Sequence, residues 1–330
     1  MTESEMPSCH DLLTPFGMSA PLFLAPMALV SGGRLAAAVT CAGGFGFIGG
    51  GYGDRDWLIR EFDAAGDTPV GVGFITWALA RQPGLLDLAL ARRPRAIFLS
   101  FGDLAPLVGR IRAAGVPLFA QVQTVAGARA AIEAGADIIV AQGTEAGGHG
   151  AARGTLALVP AVRDAIGAAP LVAAGGIADG RGMAAALMLG ADAVLCGTAF
   201  YVAEESLAHS RLREAAVATS GDDTSRDTVF DLARGLDWPV PWTLRARRNA
   251  FHGRWAEAPG AMTQDDRAAY AAGAMKGDPA TAAVIVGEAV DLVKSGEPAA
   301  AIATRIAGEA RHILSGAEER LWPEPIGLIR

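Results

Sequence analysis

A glycine-rich segment with one histidine is the part of the sequence best suited to chemistry. It reads Ala141-Gln142-Gly143-Thr144-Glu145-Ala146-Gly147-Gly148-His149-Gly150 and continues from an apolar run that ends at Gln142. Glycines allow a backbone to fold flat against a planar ligand, and histidine exchanges protons near neutral pH. The pattern therefore predicts that His149 is a general base or a donor that orients a substrate.

Two further glycine clusters are typical of phosphate binding. Ala173-Ala174-Gly175-Gly176-Ile177 and Cys196-Gly197-Thr198 each end an apolar run, and Asp179-Gly180 leads from the first into a helical pattern. Glycine allows backbone amides to approach an anion closely, and the amides at the start of a helix point toward it. Two such loops favour a phosphorylated ligand over ordinary turns.

A third glycine cluster matches a nucleotide-binding motif in the wrong context. Gly44-Phe45-Gly46-Phe47-Ile48-Gly49 has the Gly-x-Gly-x-x-Gly spacing. That motif should follow a strand and open a helix, whereas these glycines flank and run through a predicted strand. We interpret them as a tight turn with close packing between strand and helix.

The other reactive side chains lack the spacing of a metal or acyl-transfer site. Neither the three cysteines (Cys9, Cys41 and Cys196) nor the remaining histidines suggest a ligand set, and no Gly-x-Ser-x-Gly elbow is present. The remaining histidines have polar neighbours, so we expect surface or capping roles for His10, His209, His252 and His312. The sequence predicts no metal site.

Composition bounds the class of protein. Hydrophobic residues make up 51% and charged residues 19% of the 330 residues, and the net charge is −7. These values exclude a disordered chain and argue against nucleic-acid binding, which needs a basic stripe. No apolar run is long enough to span a membrane, and the odd cysteine count without a secretory segment favours the cytoplasm. We expect small-molecule partners, no nucleic acid and no membrane, and leave homo-oligomer formation open.

Eight short apolar runs, separated by helical patterns, predict parallel strands. Their starts lie about 21 to 32 residues apart, which is the size of a βα unit. The runs are Leu22–Pro26, Phe45–Ile48, Val70–Ile75, Ala96–Leu99, Pro117–Val122, Ile138–Gln142, Pro170–Ala174 and Ala193–Cys196. Eight strands favour an α/β fold of the (β/α)8 TIM barrel type; an open doubly wound sheet is the alternative.

The pattern changes in the C-terminal third. Between about Glu204 and Gly277 there are no strand-like runs, only polar and aromatic helical stretches. We therefore expect a TIM barrel formed by residues 1–203 and 281–330, with a helical cap or substrate subdomain at 204–280. The amphipathic helices after Ala282 should pack back on the barrel.

These motifs together resemble a known family. Pro26-Met27, the AQGTEAGGHG loop, AAGGIADGRG and CGTAF are similar to the nitronate monooxygenases, FMN-dependent barrels formerly called 2-nitropropane dioxygenases. The similarity extends over nearly the whole chain, including Arg247, Asn249, Phe251 and Trp255. FMN-dependent enoyl reductases of fatty-acid synthesis share a very similar His-bearing loop.

The resemblance implies a set of site residues. His149 matches the catalytic histidine, and the backbone of Ala25, Pro26 and Met27 would lie beside the isoalloxazine ring. The other implied flavin contacts are Gly73, Gln121, Gln142, Gly147, Gly148, Gly175, Gly176, Cys196, Gly197 and Thr198.

One position departs from the family pattern. The family commonly has Gly-Val-Asn where this chain has Gly71-Val72-Gly73. An amide contact to the flavin is therefore missing, or is replaced by Thr76 or water, and the bulky Phe74 and Trp77 indicate an altered substrate pocket.

The resemblance implies oxidation of alkyl nitronates by O2, through FMN, to a carbonyl compound and nitrite. The alternative is an NAD(P)H-dependent FMN reductase of enoyl thioesters or quinones, because it needs the same barrel. A phosphate-binding barrel without flavin would leave the His149 loop unexplained. Large aromatics suit an apolar substrate pocket, so Tyr201, Trp238 and Trp242 are candidates to line it, although core packing is the more usual role of such residues.

Overall fold

The computed structural model of the chain describes residues 12–321. Eight parallel strands form a closed barrel in this part of the chain. They are β1 (Leu22–Leu24), β2 (Phe45–Gly51), β3 (Gly71–Ile75), β4 (Ile97–Ser100), β5 (Leu118–Val122), β6 (Ile138–Gln142), β8 (Leu171–Ala174) and β9 (Ala193–Cys196). The short strand β7 (Gly148–Gly150) lies outside the barrel. Each barrel strand pairs with the next, and β9 closes on β1 with Cys196 opposite Leu24. The predicted TIM barrel is confirmed, and with it the eight predicted strands.

Helices connect the strands. They are α1 (Gly33–Cys41), α2 (Arg55–Ala65), α3 (Thr76–Leu79), α4 (Pro83–Ala91), α5 (Ala105–Ala113), α6 (Val125–Ala134), α7 (Thr155–Ile166), α8 (Gly180–Met188) and α9 (Thr198–Tyr201). None of the helices within residues 12–321 is long and apolar enough to cross a membrane.

Phenylalanine side chains fill the interior of the barrel. Phe23, Phe45, Phe47 and Phe119 are fully buried and contact one another with ring centroids 5.1–6.1 Å apart. Phe16, from a short 3-10 helix at Thr14–Phe16, packs on this cluster from the N-terminal segment, with its ring centroid 4.9 Å from that of Phe45. The interior is thus a solid core, and a ligand must bind at the strand ends.

The Gly44–Gly49 motif serves packing, as interpreted from the sequence. A Cβ on Gly46 would lie 2.0 Å from the carbonyl oxygen of Ala36 in α1, and one on Gly49 would lie 2.2 Å from that of Met27. Only glycine allows the backbones to approach this closely.

The segment between α9 and the C-terminal helices contains strands as well as helices. Its elements are α10 (Ser210–Val217), β10 (Thr224–Asp227), α11 (Val229–Ala233), β11 (Thr243–Arg247), α12 (Ala250–Trp255) and α13 (Gln264–Met275). The expectation of a segment without strands is therefore wrong. Strand β11 pairs with both β10 and β7 in an antiparallel sheet, with Leu244 opposite His149. The sheet joins this segment to the loop after β6 that carries His149, residues 143–150, which we call the histidine loop.

The chain then returns to the barrel, as the sequence predicts. A 3-10 turn at Glu288–Leu292 leads to α14 (Ala299–Ser315) and α15 (Ala317–Leu321). Helix α14 packs against α8 and α1, and its Glu309 carboxylate accepts a hydrogen bond from the backbone N–H of Gly180 (3.0 Å). This helix occupies the place that an eighth outer helix takes in the fold.

Candidate active site

A cavity of about 1220 Å³, counted with its open mouth, lies at the carboxyl ends of the barrel strands. This is where the fold places its active sites. Nearly all the site residues expected from the sequence line it: Ala25, Pro26, Met27, Gly73, Gln121, Gln142, Gly147, Gly148, His149, Gly175, Gly176, Gly197 and Thr198.

Cys196 does not line the cavity. Its side chain is fully buried in the apolar cluster between the strands and the outer helices, and burial raises the pKa of its thiol to about 12. The backbone carbonyl of Cys196 accepts a hydrogen bond from the N–H of Ala25 (2.9 Å). The thiol thus stays protonated at neutral pH and has no access to a bound ligand.

His149 forms a close pair with Asp231, a residue of α11. Its Nε2 lies 2.9 Å from Oδ2 and 3.0 Å from Oδ1 of the carboxylate, and both side chains are almost fully buried. Because a carboxylate only accepts hydrogen bonds, Nε2 carries the imidazole proton and Nδ1 is left with the lone pair. The pair fixes the tautomer and orientation of the histidine.

The imidazole is neutral at neutral pH. Burial lowers the pKa of His149 below its usual value, and the hydrogen bond and charge of Asp231 only partly oppose this. We therefore describe the contact as a hydrogen bond of a neutral ring to a carboxylate, although its distance would also suit an ion pair. A neutral histidine with a free Nδ1 can accept a proton.

Trp238 covers one face of the imidazole. The two rings are parallel within 9°, with centroids 3.3 Å apart. Phe101 approaches the edge of the histidine, at 6.2 Å between ring centroids. A proton moves to or from a ring nitrogen in the plane of the imidazole, so the stacked indole holds the ring without blocking that direction.

Two arginines hold the histidine loop from the antiparallel sheet. Arg226 donates to the carbonyl oxygens of Thr144 (2.9 Å), Ala146 (2.8 Å) and Gly148 (3.2 Å). Arg245 donates to the same Thr144 carbonyl (3.0 Å) and pairs with a carboxylate of the 3-10 turn before α14. Burial and the nearby Arg245 charge lower the pKa of Arg226 to about 10, so it remains charged at neutral pH.

A chain of side-chain amides connects the strand ends to the loop. The Oε1 of Gln142 accepts from Gln121 (3.1 Å) and Gln123 (2.9 Å), and its Nε2 donates to the His149 carbonyl (3.0 Å). Gln123 in turn accepts from the indole N–H of Trp242 (3.1 Å). Gln121 lines the cavity and uses one of its two amide N–H groups in the bond to Gln142.

Glycines follow strands β8 and β9, and their backbone lines the cavity. Gly175 and Gly176 have φ values of +100° and +72°, and a Cβ on Gly175 would lie 2.9 Å from the carbonyl oxygen of Gly143. On the neighbouring strand end, the Thr198 hydroxyl accepts from the N–H of Gly287 (2.9 Å). The two glycine clusters that the sequence singled out therefore lie side by side at the cavity.

The glycine that replaces the family asparagine is enforced by its neighbour. A Cβ on Gly73 would lie 2.3 Å from Cβ of Pro26, so no side chain fits there. Thr76 does not line the cavity, and its buried hydroxyl has no hydrogen-bond partner in the described chain. Thr76 therefore does not replace the amide. Phe74 does line the cavity, and Trp77 packs beside Tyr52, another lining residue, with ring centroids 6.1 Å apart.

Of the three aromatics considered for the substrate pocket, Tyr201 and Trp238 line the cavity. Trp242 lies behind this wall, where it contacts Phe101 with ring centroids 5.5 Å apart.

The other histidines have different surroundings. His209 is exposed and caps α10, and His312 is exposed, both as expected. His252 is buried, with its Nε2 2.7 Å from Asp227 and 2.9 Å from Ser225, so the expected surface or capping role is wrong. His10 lies outside the described residues. Within residues 12–321 no cluster of potential ligands could hold a metal ion.

Asp231 and Tyr52 are the site residues that sequence reasoning missed. Asp231 lies in helix α11 (Val229–Ala233), whose other four residues are apolar. A carboxylate buried among apolar residues needs a hydrogen-bonding or charged partner. That signal was present in the sequence, although it does not identify His149 as the partner. Tyr52 follows a strand directly, with glycines on both sides, and this position at a barrel strand end was its only signal.

Comparison with known proteins supports the relationship suggested by the motifs. A family model described as nitronate monooxygenase matches residues 79–308. The nitronate monooxygenase npaC of Metarhizium robertsii is 35% identical, over 91% of this chain and 94% of its own length. A nitronate monooxygenase of Pseudomonas aeruginosa is 38% identical over 60% of this chain and 71% of its own length.

Solved structures give the same picture. FabK from Thermotoga maritima superposes with a TM-score of 0.82 at 28% identity, covering 94% of this chain and 99% of that one. Nitroalkane oxidase from Streptomyces ansochromogenes superposes with a TM-score of 0.76, also at 28% identity, over 92% and 99% of the two chains.

Proposed function

The chain belongs to the nitronate monooxygenase family, and from this premise we propose that it oxidises alkyl nitronates with O2 to a carbonyl compound and nitrite, using FMN. The observation that carries the proposal is the buried His149–Asp231 pair at the wall of a cavity at the barrel strand ends. The relatives are named as a nitronate monooxygenase and a nitroalkane oxidase, and such a pair can serve the proton transfer that these activities need.

The residues present fit FMN. Gly175 and Gly176 adopt backbone conformations that a side chain would strain, and they lie next to Gly197 and Thr198 at the neighbouring strand end. Backbone of this kind suits a phosphate. Gln121 and Gln142 can present amide groups to a polar ring edge, and Ala25–Met27 line the same cavity. These residues would hold the cofactor, whereas the crowding of Gly73 by Pro26 leaves position 73 without a polar contact.

FMN supplies the electron-transfer chemistry when bound. The chain's own part is proton transfer and exclusion of water. In a neutral nitroalkane the α-carbon must lose a proton before oxidation, and Nδ1 of His149 is the available base. Asp231 then stabilises the imidazolium that forms, because its carboxylate already accepts from Nε2.

The walls around the pair are mostly apolar. Phe101, which follows β4, lines the cavity, and so do Trp238, Leu244 and Ile285 from the part of the chain after the barrel. An apolar wall strengthens the polar interactions inside the site and limits hydrolysis or leakage of protons. The segment that follows the barrel thus contributes part of the apolar cover as well as Asp231, which supports the histidine.

An anaerobic stopped-flow experiment tests the proposal. The purified protein is mixed separately with propyl nitronate, NADH and NADPH, and the flavin absorbance is followed. We expect nitronate to reduce the flavin, NAD(P)H to leave it oxidised, and admitted O2 to restore it with release of nitrite. Fast bleaching by NADH or NADPH would support the reductase of enoyl or quinone substrates, and a colourless protein without flavin after denaturation would support a phosphate-binding barrel.

A further inference from the structure

Tyr52 lines the cavity and, in the part of the chain that the structure describes, has only hydrogen-bond donors as its side-chain partners. It follows β2, and its ring contacts Trp77 and Trp238 edge-on, each at 6.1 Å between centroids. Its hydroxyl oxygen accepts from the indole N–H of Trp238 (3.0 Å) and from Nη2 of Arg234 (3.4 Å). The phenol is therefore fixed in position by two neighbours.

Both neighbours can only donate hydrogen bonds. Tryptophan and arginine have no acceptor in their side chains, so neither can receive the proton of the Tyr52 hydroxyl. Within residues 12–321 that proton has no acceptor, and the residue faces the cavity. The hydroxyl is thus left to donate to a ligand. Burial raises the pKa of Tyr52, which keeps this proton in place through neutral and mildly alkaline pH.

Arg234 adds a positive charge to the same place. Its guanidinium lies over the Tyr52 ring at 5.5 Å from the centroid, and its Nη1 is 3.8 Å from Oδ1 of Asp231, longer than a hydrogen bond. The arginine lines the cavity and keeps donors free, because the two contacts use only part of its five N–H groups.

Tyr52 and Arg234 share neighbours with His149. Asp231 lies between His149 and Arg234, and Trp238 contacts both the His149 ring and the Tyr52 hydroxyl. The base and the Tyr52–Arg234 pair therefore belong to one wall of the cavity. In a nitroalkane the acidic carbon and the nitro oxygens are separated by one nitrogen, so a single wall can address both.

We propose that Tyr52 and Arg234 form an oxyanion subsite that binds the oxygen atoms of the substrate's nitronate group. The proposal rests on the proposed function for the identity of the substrate. Tyr52 donates its hydroxyl proton to one oxygen, Arg234 contributes charge and N–H groups, and Trp238 positions the phenol. Tyr52 is then a substrate-contacting residue, and its loss should affect substrate binding while flavin binding is retained.

The test compares Tyr52→Phe with Tyr270→Phe in the flavin-containing protein. The first keeps the ring and removes the hydroxyl at the cavity. The second removes a buried hydroxyl that accepts only from the backbone N–H of Ala283, in the core of the segment that carries β10 and β11. One readout is KM for propyl nitronate, and the other is binding of nitrate, a planar oxyanion that is not oxidised, followed by calorimetry and by the flavin spectrum.

We expect Tyr52→Phe to raise KM and the nitrate dissociation constant by about tenfold to a hundredfold, as for a lost hydrogen bond to a charged group. Flavin content should not change, and Tyr270→Phe should behave like the unaltered protein. Unchanged KM and nitrate binding in Tyr52→Phe would overturn the subsite, and so would an unaltered protein that does not bind nitrate.

Failure of the proposed function gives a different result. If the unaltered protein does not oxidise nitronate but binds nitrate, and Tyr52→Phe weakens this binding, then the subsite stands and the reaction is another one. Should Tyr52→Phe fail to fold, Arg234→Gln replaces it in the nitrate titration with the same expected weakening, and undiminished binding there would overturn the proposal.

Discussion

The carboxylate of Asp231 lies 2.9 Å from Nε2 of His149, although the two residues are 82 positions apart in the chain. His149 comes from the loop after a barrel strand, and Asp231 comes from the segment that follows the barrel. The His149–Asp231 pair is therefore assembled from two parts of the chain and exists only when both are in place.

Replacing Asp231 by Asn should affect proton abstraction more than oxidation. An amide at this position can donate to Nε2, which would move the imidazole proton to Nδ1 and remove the base. We expect kcat/KM on neutral nitroethane to fall about 10²- to 10⁴-fold, with a much smaller loss on preformed ethyl nitronate. Steady-state oxygen consumption with both substrates measures this difference.

Asp227→Asn is the matched control, because Asp227 pairs with His252 away from the cavity. It should leave the ratio of the two activities unchanged. An Asp231→Asn protein with full activity on neutral nitroethane would show that the pair does not carry the base.

The activity on neutral nitroalkane should persist into acidic solution. Burial lowers the pKa of His149 below 6.5, so the base form is retained at pH 6.5 and is lost only as pH decreases through the lowered pKa. As pH decreases from 6.5 through the lowered pKa, the unfolded chain binds more protons at this histidine than the folded chain does. Folding stability therefore decreases as the pH decreases. Initial rates in overlapping buffers give the midpoint of the acidic limb, and a midpoint above 6.5 would contradict this assignment.

Removing Arg226 should destabilise the histidine loop. Methionine at this position would remove the Arg226 donor from the carbonyl oxygens of Ala146 and Gly148 and would leave that of Thr144 with Arg245 alone, and we expect a loss of about 3 kcal/mol in unfolding free energy. Urea unfolding followed by circular dichroism measures the loss. As a control, Arg248→Met removes an exposed arginine with a 3.5 Å ion pair and should change the unfolding free energy by less than about 0.5 kcal/mol. Equal effects of the two substitutions would show that Arg226 does not stabilise the histidine loop.

Gly175→Ala should release the flavin. Its φ of +100° strains any side chain, and the new Cβ would lie 2.9 Å from the carbonyl oxygen of Gly143 at the cavity. Gly167→Ala shares the positive φ (+61°) but has open space around it and lies at the end of α7. Both variants should lose about 1 kcal/mol of stability from backbone strain, and only Gly175→Ala should lose flavin. The ratio of flavin to protein, measured after denaturation, distinguishes them; equal flavin content would argue against a cofactor at this strand end.

The barrel could be predicted because its strands are short apolar runs at regular spacing, each followed by a helix. The antiparallel sheet could not, because its strands carry no such signal. Strand β7 reads Gly-His-Gly, and β10 reads Thr-Ser-Arg-Asp, half-buried along its whole length. Such segments become strands only by pairing with β11, and pairing between distant segments is not encoded in local pattern.

The site was predictable to the same extent. Residues at the ends of barrel strands, such as Gln121, Gly175 and His149, could be placed because the fold brings all strand ends to one face. Asp231, Arg226 and Tyr52 depend on how the later segment packs on that face. Local sequence pattern does not reveal that packing, so their partners could be identified only from the three-dimensional structure.

Strand β7 also limits how the two parts of this protein can be exchanged. Because Gly148–Gly150 is hydrogen-bonded into the sheet of β10 and β11, the histidine loop is shared between the barrel and the segment that covers it. A chimera that combined this barrel with the covering segment of a relative would have to transfer the loop as well. For recombination, then, the boundary of the barrel lies inside its own active site.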